Sequence, residues 1–216
     1  MKDMEYGIST WIYEKRTLKE ALQKIADIGI QCIEIWANEY HLDPRIKPDI
    51  ADIQKRISSL GLWVHSIHTP FTGLNLGYPD TNLIKKWLSV VGESMEYGAE
   101  LGAKIAVVHV TSFREHLNQT DQNRSIGVIR EFLENLEIHA RKMDMRLALE
   151  NLPAAHNPSF ACSIEELAKI GADEEIGFCI DIGHSSINKV DFESDIINAG
   201  SRLLSVHLSS NDGEND

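Results

Sequence analysis

Ala99-Glu-Leu-Gly-Ala-Lys-Ile-Ala-Val-Val-His-Val110 is the stretch on which the fold turns. An amphipathic helix runs out at a glycine, a β-branched apolar run follows, and that run closes on a histidine. The same joint recurs at Ala26–Trp36, Ser58–His68, Ala168–His184 and Ile197–Leu208. Gly29, Gly61, Gly102, Gly171 and Gly200 fall where a helix ends on a left-handed residue. Repeated helix–Gly–strand joints predict αβ units around a parallel sheet.

Working outward, seven strands are predicted, near Tyr6–Trp11, Cys32–Ala37, Leu62–His68, Ile105–Val110, Arg146–Asn151, Gly177–Ile182 and Leu203–Leu208. Helices fill the intervals. Thr17-Leu-Lys-Glu20 and Ser163-Ile-Glu-Glu166 have the form of capping boxes. Leu18, Ala21, Leu22, Ile25 and Ile28 make a helical stripe suited to packing on a sheet. The fold class is therefore α/β, a (β/α)8 TIM barrel lacking its eighth βα unit in this chain. Such barrels take about 250 residues, and this one has 216. We read residues 1–216 as a single, C-terminally incomplete domain.

Composition narrows the function classes. Charged residues make up 25% and hydrophobic residues 43%, which fits a globular chain and not a disordered one. No apolar run is long enough to span a bilayer, and Met1–Thr10 lacks the pattern of a signal peptide. The net charge of −12 argues against nucleic acid or an anionic membrane as partner. The three cysteines, Cys32, Cys162 and Cys179, are too few and too scattered for a disulfide framework, so a reduced, cytoplasmic setting is expected. Neither GxGxxG nor a Walker A motif is present, so a nucleotide-binding reading lacks its signature.

The chemistry sits at the strand ends. Successive strands close on His68, His109, Glu150, Asp181 (with His184 three residues on) and His207. In a parallel barrel these ends converge on one mouth. Alternation places Ala148, Cys179 and Ser205 on the same inward faces as Glu150, Asp181 and His207. Carboxylates gathered in one mouth repel, and a divalent cation removes that penalty. Glu150, Asp181 and His207 offer two oxygens and one nitrogen, a set suited to Mn²⁺, Mg²⁺, Co²⁺ or Fe²⁺, or to Zn²⁺ in an open site. Cys179 reads as a small packing residue.

These motifs carry a resemblance. They are His68-Thr-Pro-Phe71 with Leu74-Asn-Leu76; Val107-Val-His109; Ala148-Leu-Glu-Asn151; Gly177-Phe-Cys-Ile-Asp-Ile-Gly-His184; and Val206-His-Leu208 with Asn211-Asp-Gly213. In order and spacing the chain resembles the xylose isomerase-like TIM barrels, the superfamily of sugar isomerases and epimerases that also contains endonuclease IV. The resemblance implies that Glu150, Asp181 and His207 are three of four metal ligands, and that Glu150 is one of two glutamates exchanging protons with a sugar. It implies substrate binding by His184, with His68 and His109 lining the mouth and Glu34 and Trp36 in the pocket wall. The implied reaction is isomerisation or epimerisation of a ketose or related sugar, with or without a phosphate, through a metal-stabilised enediolate. The implied cofactor is Mn, Mg or Co. Sugar-branch relatives often form homo-oligomers, a state that nothing in this sequence specifies.

The alternative within the superfamily is an endonuclease IV-like zinc phosphodiesterase acting on abasic DNA. Its extra zinc ligands match His68 and His109, and Asp216 could begin its Asp-x-His pair. The charge, the Phe71–Asp80 stretch and Gly183 before His184 favour the sugar enzymes. The family pattern also runs past Asp216, to a fourth ligand and a second glutamate on an eighth strand. Three readings follow: a fragment of a longer product, a short form completed by a partner chain, or a non-catalytic barrel that binds metal or sugar. The exposed edges of the first and seventh strands lead us to expect a chain that is unstable alone or associates through them. Arg114 and Arg124 are surface candidates with no assigned ligand.

Overall fold

A computed structural model describes residues 5–74, 81–110, 119–153, 161–171 and 175–211. The Asn75–Asp80 part of the Phe71–Asp80 stretch, Arg114, Gly213 and Asp216 lie outside these residues. The strands are β1 (Ile8–Ser9), β2 (Cys32–Trp36), β3 (Trp63–His68), β4 (Ile105–Val108), β5 (Arg146–Glu150), β6 (Gly177–Asp181) and β7 (Leu203–His207). All pair in parallel in the order β1-β2-β3-β4-β5-β6-β7. Helices α1 (Leu18–Asp27), α2 (Ile50–Ser59), α3 (Thr81–Glu100), α4 (Gln119–Lys142) and α5 (Ile164–Ile170) connect successive strands, and α6 (Ile182–Asn188) and α7 (Phe192–Ala199) both lie between β6 and β7. This is the expected seven-stranded, curled and incomplete barrel. Among the described residues β1 and β7 each pair on one side only.

The sheet sorts its side chains with a period of two. Ile33, Ile35, Val64, Ile67, Ala106, Val108, Leu147, Leu149, Phe178 and Ile180 face outward into the core shared with the helices. The alternate residues Ile105, Val107, Ala148 and Cys179 form a separate, smaller cluster inside the curl. Following the inward parity toward the strand ends leads to Glu34, Ser66, His68, Glu150 and Asp181. Alternation, reset on β3 where His65 is an extra residue between Val64 and Ser66, separates the packing face from the chemical face.

Two registers matter for the site. A bulge between Ile33 and Glu34 sets Glu34 opposite Ser66 on β3. An irregularity between Phe178 and Cys179 sets Asp181 opposite His207 on β7.

The capping box at α1 forms as read: Thr17 accepts from the Glu20 N–H at 3.4 Å, and Glu20 accepts from the Thr17 N–H at 3.0 Å. At α5 only half of it forms. Ser163 accepts from the Glu166 N–H, while the Glu166 carboxylate accepts from the Cys162 N–H at 2.8 Å, one residue earlier than expected.

Two expectations are corrected. The first strand is two residues long and gives way to a 3-10 turn over Thr10–Tyr13. The buried Thr10 hydroxyl accepts the Trp36 N–H at 2.9 Å and so replaces the next rung of the ladder. Gly29, Gly61, Gly102 and Gly200 have positive φ, but Gly171 does not. At Gly171 the requirement is space, since a Cβ would meet Leu149 at 3.0 Å.

Gly98 is a contact glycine of the same kind. A Cβ there would stand 2.7 Å from Cγ2 and 3.0 Å from Cβ of Ile67, where α3 packs on β3. Gly127 on α4 is exposed, with nothing within 4 Å of its hypothetical Cβ. We expect Gly98→Ala to destabilise the chain by about 1–3 kcal/mol and Gly127→Ala to stabilise it by about 0.5–1 kcal/mol. Urea denaturation midpoints report both. Equal shifts of one sign would contradict the packing of α3 on β3.

Candidate metal centre

Glu150 stands at the end of β5 with 2% of its surface exposed. Its two oxygens face different partners. Oε2 lies 2.9 Å from His68 Nε2 and 3.1 Å from His109 Nε2. Oε1 lies 3.2 Å from His207 Nδ1 and 3.6 Å from His184 Nδ1. Four imidazoles from four segments of chain therefore surround one carboxylate.

Asp181, at the end of β6, divides its oxygens between two tasks. Oδ1 accepts the His184 N–H at 2.9 Å and caps α6. It also accepts from the Ser209 hydroxyl at 3.2 Å. Oδ2 lies 3.9 Å from His207 Nδ1. The capping role of a strand-end aspartate and a place beside Glu150 are combined in one side chain.

Asn151 holds the two acidic strands together. Its Oδ1 accepts the Asp181 N–H at 2.7 Å, and its Nδ2 donates to the Asp181 carbonyl and the Ser185 hydroxyl, both at 3.0 Å. Its own carbonyl lies 2.7 Å from His184 Nδ1. A carbonyl only accepts, so His184 carries a proton on Nδ1. Nothing in the sequence had assigned Asn151 a role beyond its place in Ala148-Leu-Glu-Asn151. The signal was its position, directly after the inward glutamate.

His207 spans the mouth. Its Nδ1 faces Glu150 and Asp181, while its Nε2 lies 3.2 Å from Glu34 Oε2 on β2. Ser66 donates to the same Glu34 oxygen at 2.8 Å. The β7–β2 contact joins residues 173 positions apart.

The aromatic side of the mouth is Trp11, Trp36 and Phe71. Trp36 meets Trp11 edge-on and Phe71 at 6.4 Å, and Phe71 stacks on His109 at 4.1 Å. Trp36 thus reaches the histidine cluster through Phe71. Phe71 appeared only as part of a motif in the sequence, and its stacking on His109 comes from the curl of β3 against β4.

Electrostatics follow from this geometry. Burial raises the pKa of Glu34 and Glu150, but His207 overrides it, bringing Glu34 down to about 2. His207 and His109 likewise bring Glu150 well below the ordinary range. Burial opposes the charged form of His207, yet Cys179, Glu34 and Glu150 raise its pKa well above the usual histidine value. His68 is raised too, against burial, by its bond to Glu150. His109 is lowered to about 4 because burial dominates. Of the two rings on Oε2, His68 is therefore the more basic. Burial raises Asp181 and lifts the Cys179 thiol to about 12.

Three groups of metal-ligating side chains, each with donor atoms within 4.8 Å of one another, share Glu150: with His68 and His109, with Cys179 and His207, and with Asp181 and His184. The expected set of Glu150, Asp181 and His207 is not one of these three groups as such; its members are divided between the second and the third, which share Glu150. His207 Nδ1 lies within 4 Å of both carboxylates, and its Nε2 side is already turned to Glu34. His184 Nδ1 is committed to a carbonyl and cannot ligate. Cys179 adds a sulfur beside His207, and its raised pKa suits a neutral thiol packed within the curl. The raised proton affinity of His68 and His207 answers the same carboxylate charge that a cation would answer.

A groove of about 390 Å³ on the outer face, between α3 and α4, is lined by Glu93, Glu96 and His139 among others. It lies away from this mouth. No helix of the described residues is long and apolar enough to cross a membrane.

Comparison with known proteins gives a consistent architecture. A family model described as "Xylose isomerase-like TIM barrel" matches residues 22–216. An uncharacterized protein of Methanocaldococcus jannaschii is 24% identical over 224 residues, covering 99% of this chain and 73% of that protein. Among solved structures, a D-tagatose 3-epimerase-like protein aligns with a TM-score of 0.84 and 21% identity, over 97% of this chain and 78% of its own. A 3-keto-D-glucoside 4-epimerase from E. coli aligns at 0.79 and 17%, over 97% and 80%. An L-ribulose 3-epimerase aligns at 0.76 and 20%, over 96% and 70%.

The shifts make stability depend on pH in a defined sense. Raised His68 and His207 contribute fully below the ordinary value of 6.5, and that contribution is lost as pH rises through their folded values. Depressed Glu34 and Glu150 contribute above the ordinary 4.5, and theirs is lost as pH falls through their folded values. Raised Asp181 favours acid, and lowered His109 disfavours it between 6.5 and about 4. We expect the metal-free chain, kept in EDTA, to melt highest near about pH 6 and to lose stability toward pH 9. Mn²⁺ should move that optimum upward, because a cation competes with the protons on the ligands. Thermal melts across pH decide it. A melting temperature that climbs from pH 6 to 9 in EDTA would contradict the assignment.

Proposed function

The chain belongs to the xylose isomerase-like TIM barrel family, and from that premise we propose that it is a divalent-metal-dependent sugar isomerase or epimerase. The observation that carries the reading is the approach of His207 Nδ1 to Glu150 at 3.2 Å and to Asp181 at 3.9 Å. These residues would hold the cation, with Mn, Mg or Co suited to the oxygen-rich set. When bound, the cation supplies Lewis acidity, polarising a sugar carbonyl and stabilising the enediolate charge.

The chain's own groups supply the rest. Glu150 stays ionised at neutral pH because imidazoles surround it, so it is available to take a proton from the carbon next to the carbonyl. Its return to the neighbouring carbon isomerises the sugar; delivery of a proton to the opposite face, which epimerises it, takes a second acid on that face, the role the family resemblance gives to a second glutamate. His68 carries a proton and donates to Glu150, which fixes the carboxylate's orientation. His184, tied to the Asn151 carbonyl, presents a ring of set orientation to sugar hydroxyls. Phe71 and Trp36 exclude water on the β2–β3 side and offer apolar surface to sugar C–H groups. The epimerases it resembles in fold bear names with ketose and keto-sugar substrates, which supports this substrate class.

One observation favours a second reading. His68, His109 and Glu150 form a donor group of their own, at the positions that resemble the additional zinc ligands of endonuclease IV. The test separates the two. Purified chain with Mn²⁺ is incubated with free and phosphorylated ketopentoses and ketohexoses in D₂O, and proton NMR follows deuterium entry next to the carbonyl. We expect exchange, reduced about 10²–10⁴-fold in Glu150→Gln. Nicking of abasic duplex DNA with Zn²⁺ and no sugar exchange would replace this reading with the endonuclease. Metal binding with neither reaction would leave a binding barrel.

A further inference from the structure

Glu34 is the one carboxylate of the mouth that the proposed ligand set and proton transfer do not use. It lies mid-strand on β2, 8% exposed, and faces inward by strand parity. A buried carboxylate needs partners, and Oε2 has two. The Ser66 hydroxyl donates to it at 2.8 Å, in a register that exists because of the bulge in the β2–β3 ladder. His207 Nε2 lies 3.2 Å from the same oxygen.

The consequence lies on the far side of the ring. A neutral imidazole has one N–H, and whichever nitrogen is held as donor leaves the other as lone-pair acceptor. An ionised carboxylate accepts only, so a ring bonded to Glu34 through Nε2 keeps its hydrogen there. Nδ1 faces Glu150 at 3.2 Å and Asp181 at 3.9 Å; a proton answers them there in the metal-free ring, and a cation would displace that proton and take the Nδ1 lone pair while the Nε2–H stays on Glu34. Ser66 in turn fixes the carboxylate. Metal-ligating histidines commonly depend on such an outer carboxylate for tautomer, orientation and basicity. We infer that Glu34 is a positioning residue: it takes the Nε2–H of His207 and so directs Nδ1 at the Glu150–Asp181 pair. The inference rests on the metal reading above for its consequence and on the Ser66–Glu34–His207 geometry for its existence. Oε2 is engaged by both Ser66 and His207 in this role.

Two measurements test it. The first is Mn²⁺ affinity by titration calorimetry on the whole chain. Glu34→Gln keeps the shape and removes the anion, and it should weaken binding about 10–100-fold. Ser66→Ala should weaken it by a smaller factor. In a His207→Gln background, Glu34→Gln should change affinity less than about two-fold, because it acts only through that ring. Equal weakening in both backgrounds, or unchanged affinity in Glu34→Gln alone, overturns the inference. The second measurement is the occupancy of a proton on His207 Nε2 in metal-free protein, read from long-range ¹H–¹⁵N spectra. The wild type should hold the Nε2–H form, and Glu34→Ala should lose that preference while retaining a folded spectrum. A wild-type ring without a proton on Nε2 overturns the inference even if no metal binds. Failure of the wild type to bind any divalent cation, with the Nε2–H form in place, overturns the metal reading instead.

Discussion

Withdrawing an ionised carboxylate from water costs several kcal/mol unless charge and hydrogen bonds compensate, and Glu150 is almost wholly withdrawn. Everything at the mouth answers that constraint. Two imidazoles meet one of its oxygens and two meet the other. One of those rings then needs its own counter-charge, and Glu34 supplies it from across the curl. The result is a chain of alternating charge, Glu34–His207–Glu150–His68, built from four different strands. With protons on the rings it is self-compensated. With a cation among Glu150, Asp181 and His207 Nδ1 the same groups would be compensated differently, which is why metal affinity and proton affinity are linked here.

The scaffold makes this possible by doing two jobs with one alternation. Outward residues of every strand from β2 to β6 bury apolar surface against the helices. Inward residues are free of that duty, and small ones such as Ala148 and Cys179 leave room below the ionisable layer. Precision then comes from polar splices. Asn151 joins the end of β5 to β6 through two hydrogen bonds and to α6 through a third, and Asp181 joins β6 to α6 while facing His207. Ser209, just past β7, returns to Asp181. The rigid core sets strand positions to within a register, and these splices set atoms.

Much of this was legible in the sequence. The helix–Gly–strand joints identified αβ units, and the parity of Ala148 with Glu150 and of Cys179 with Asp181 placed the right residues inward. The weaker points have physical reasons. Tyr6–Trp11 has strand composition, yet its ladder stops at Ser9 because the Thr10 hydroxyl takes the next backbone donor. Gly171 looks like the other helix-ending glycines, but its φ is ordinary and Leu149 is what demands the missing side chain. The Ser66 and His207 partners of Glu34 were not legible, because strand position says which face a residue is on, not which neighbour takes its oxygens.

The sequence by itself determined the repeating unit, the two faces of each strand and the set of ionisable residues at the mouth, because periodicity and strand-end position are local properties of the chain. Only the tertiary structure decided which atom of each residue meets which. The bulge that brings Ser66 to Glu34, the register that sets Asp181 beside His207, and the curl that carries His207 to a residue 173 positions away are all products of packing between strands. Hydrogen-bond partners, and with them the tautomers and charge states of the rings, depend on distances of a few tenths of an ångström. Such distances are set by neighbours that no local pattern names.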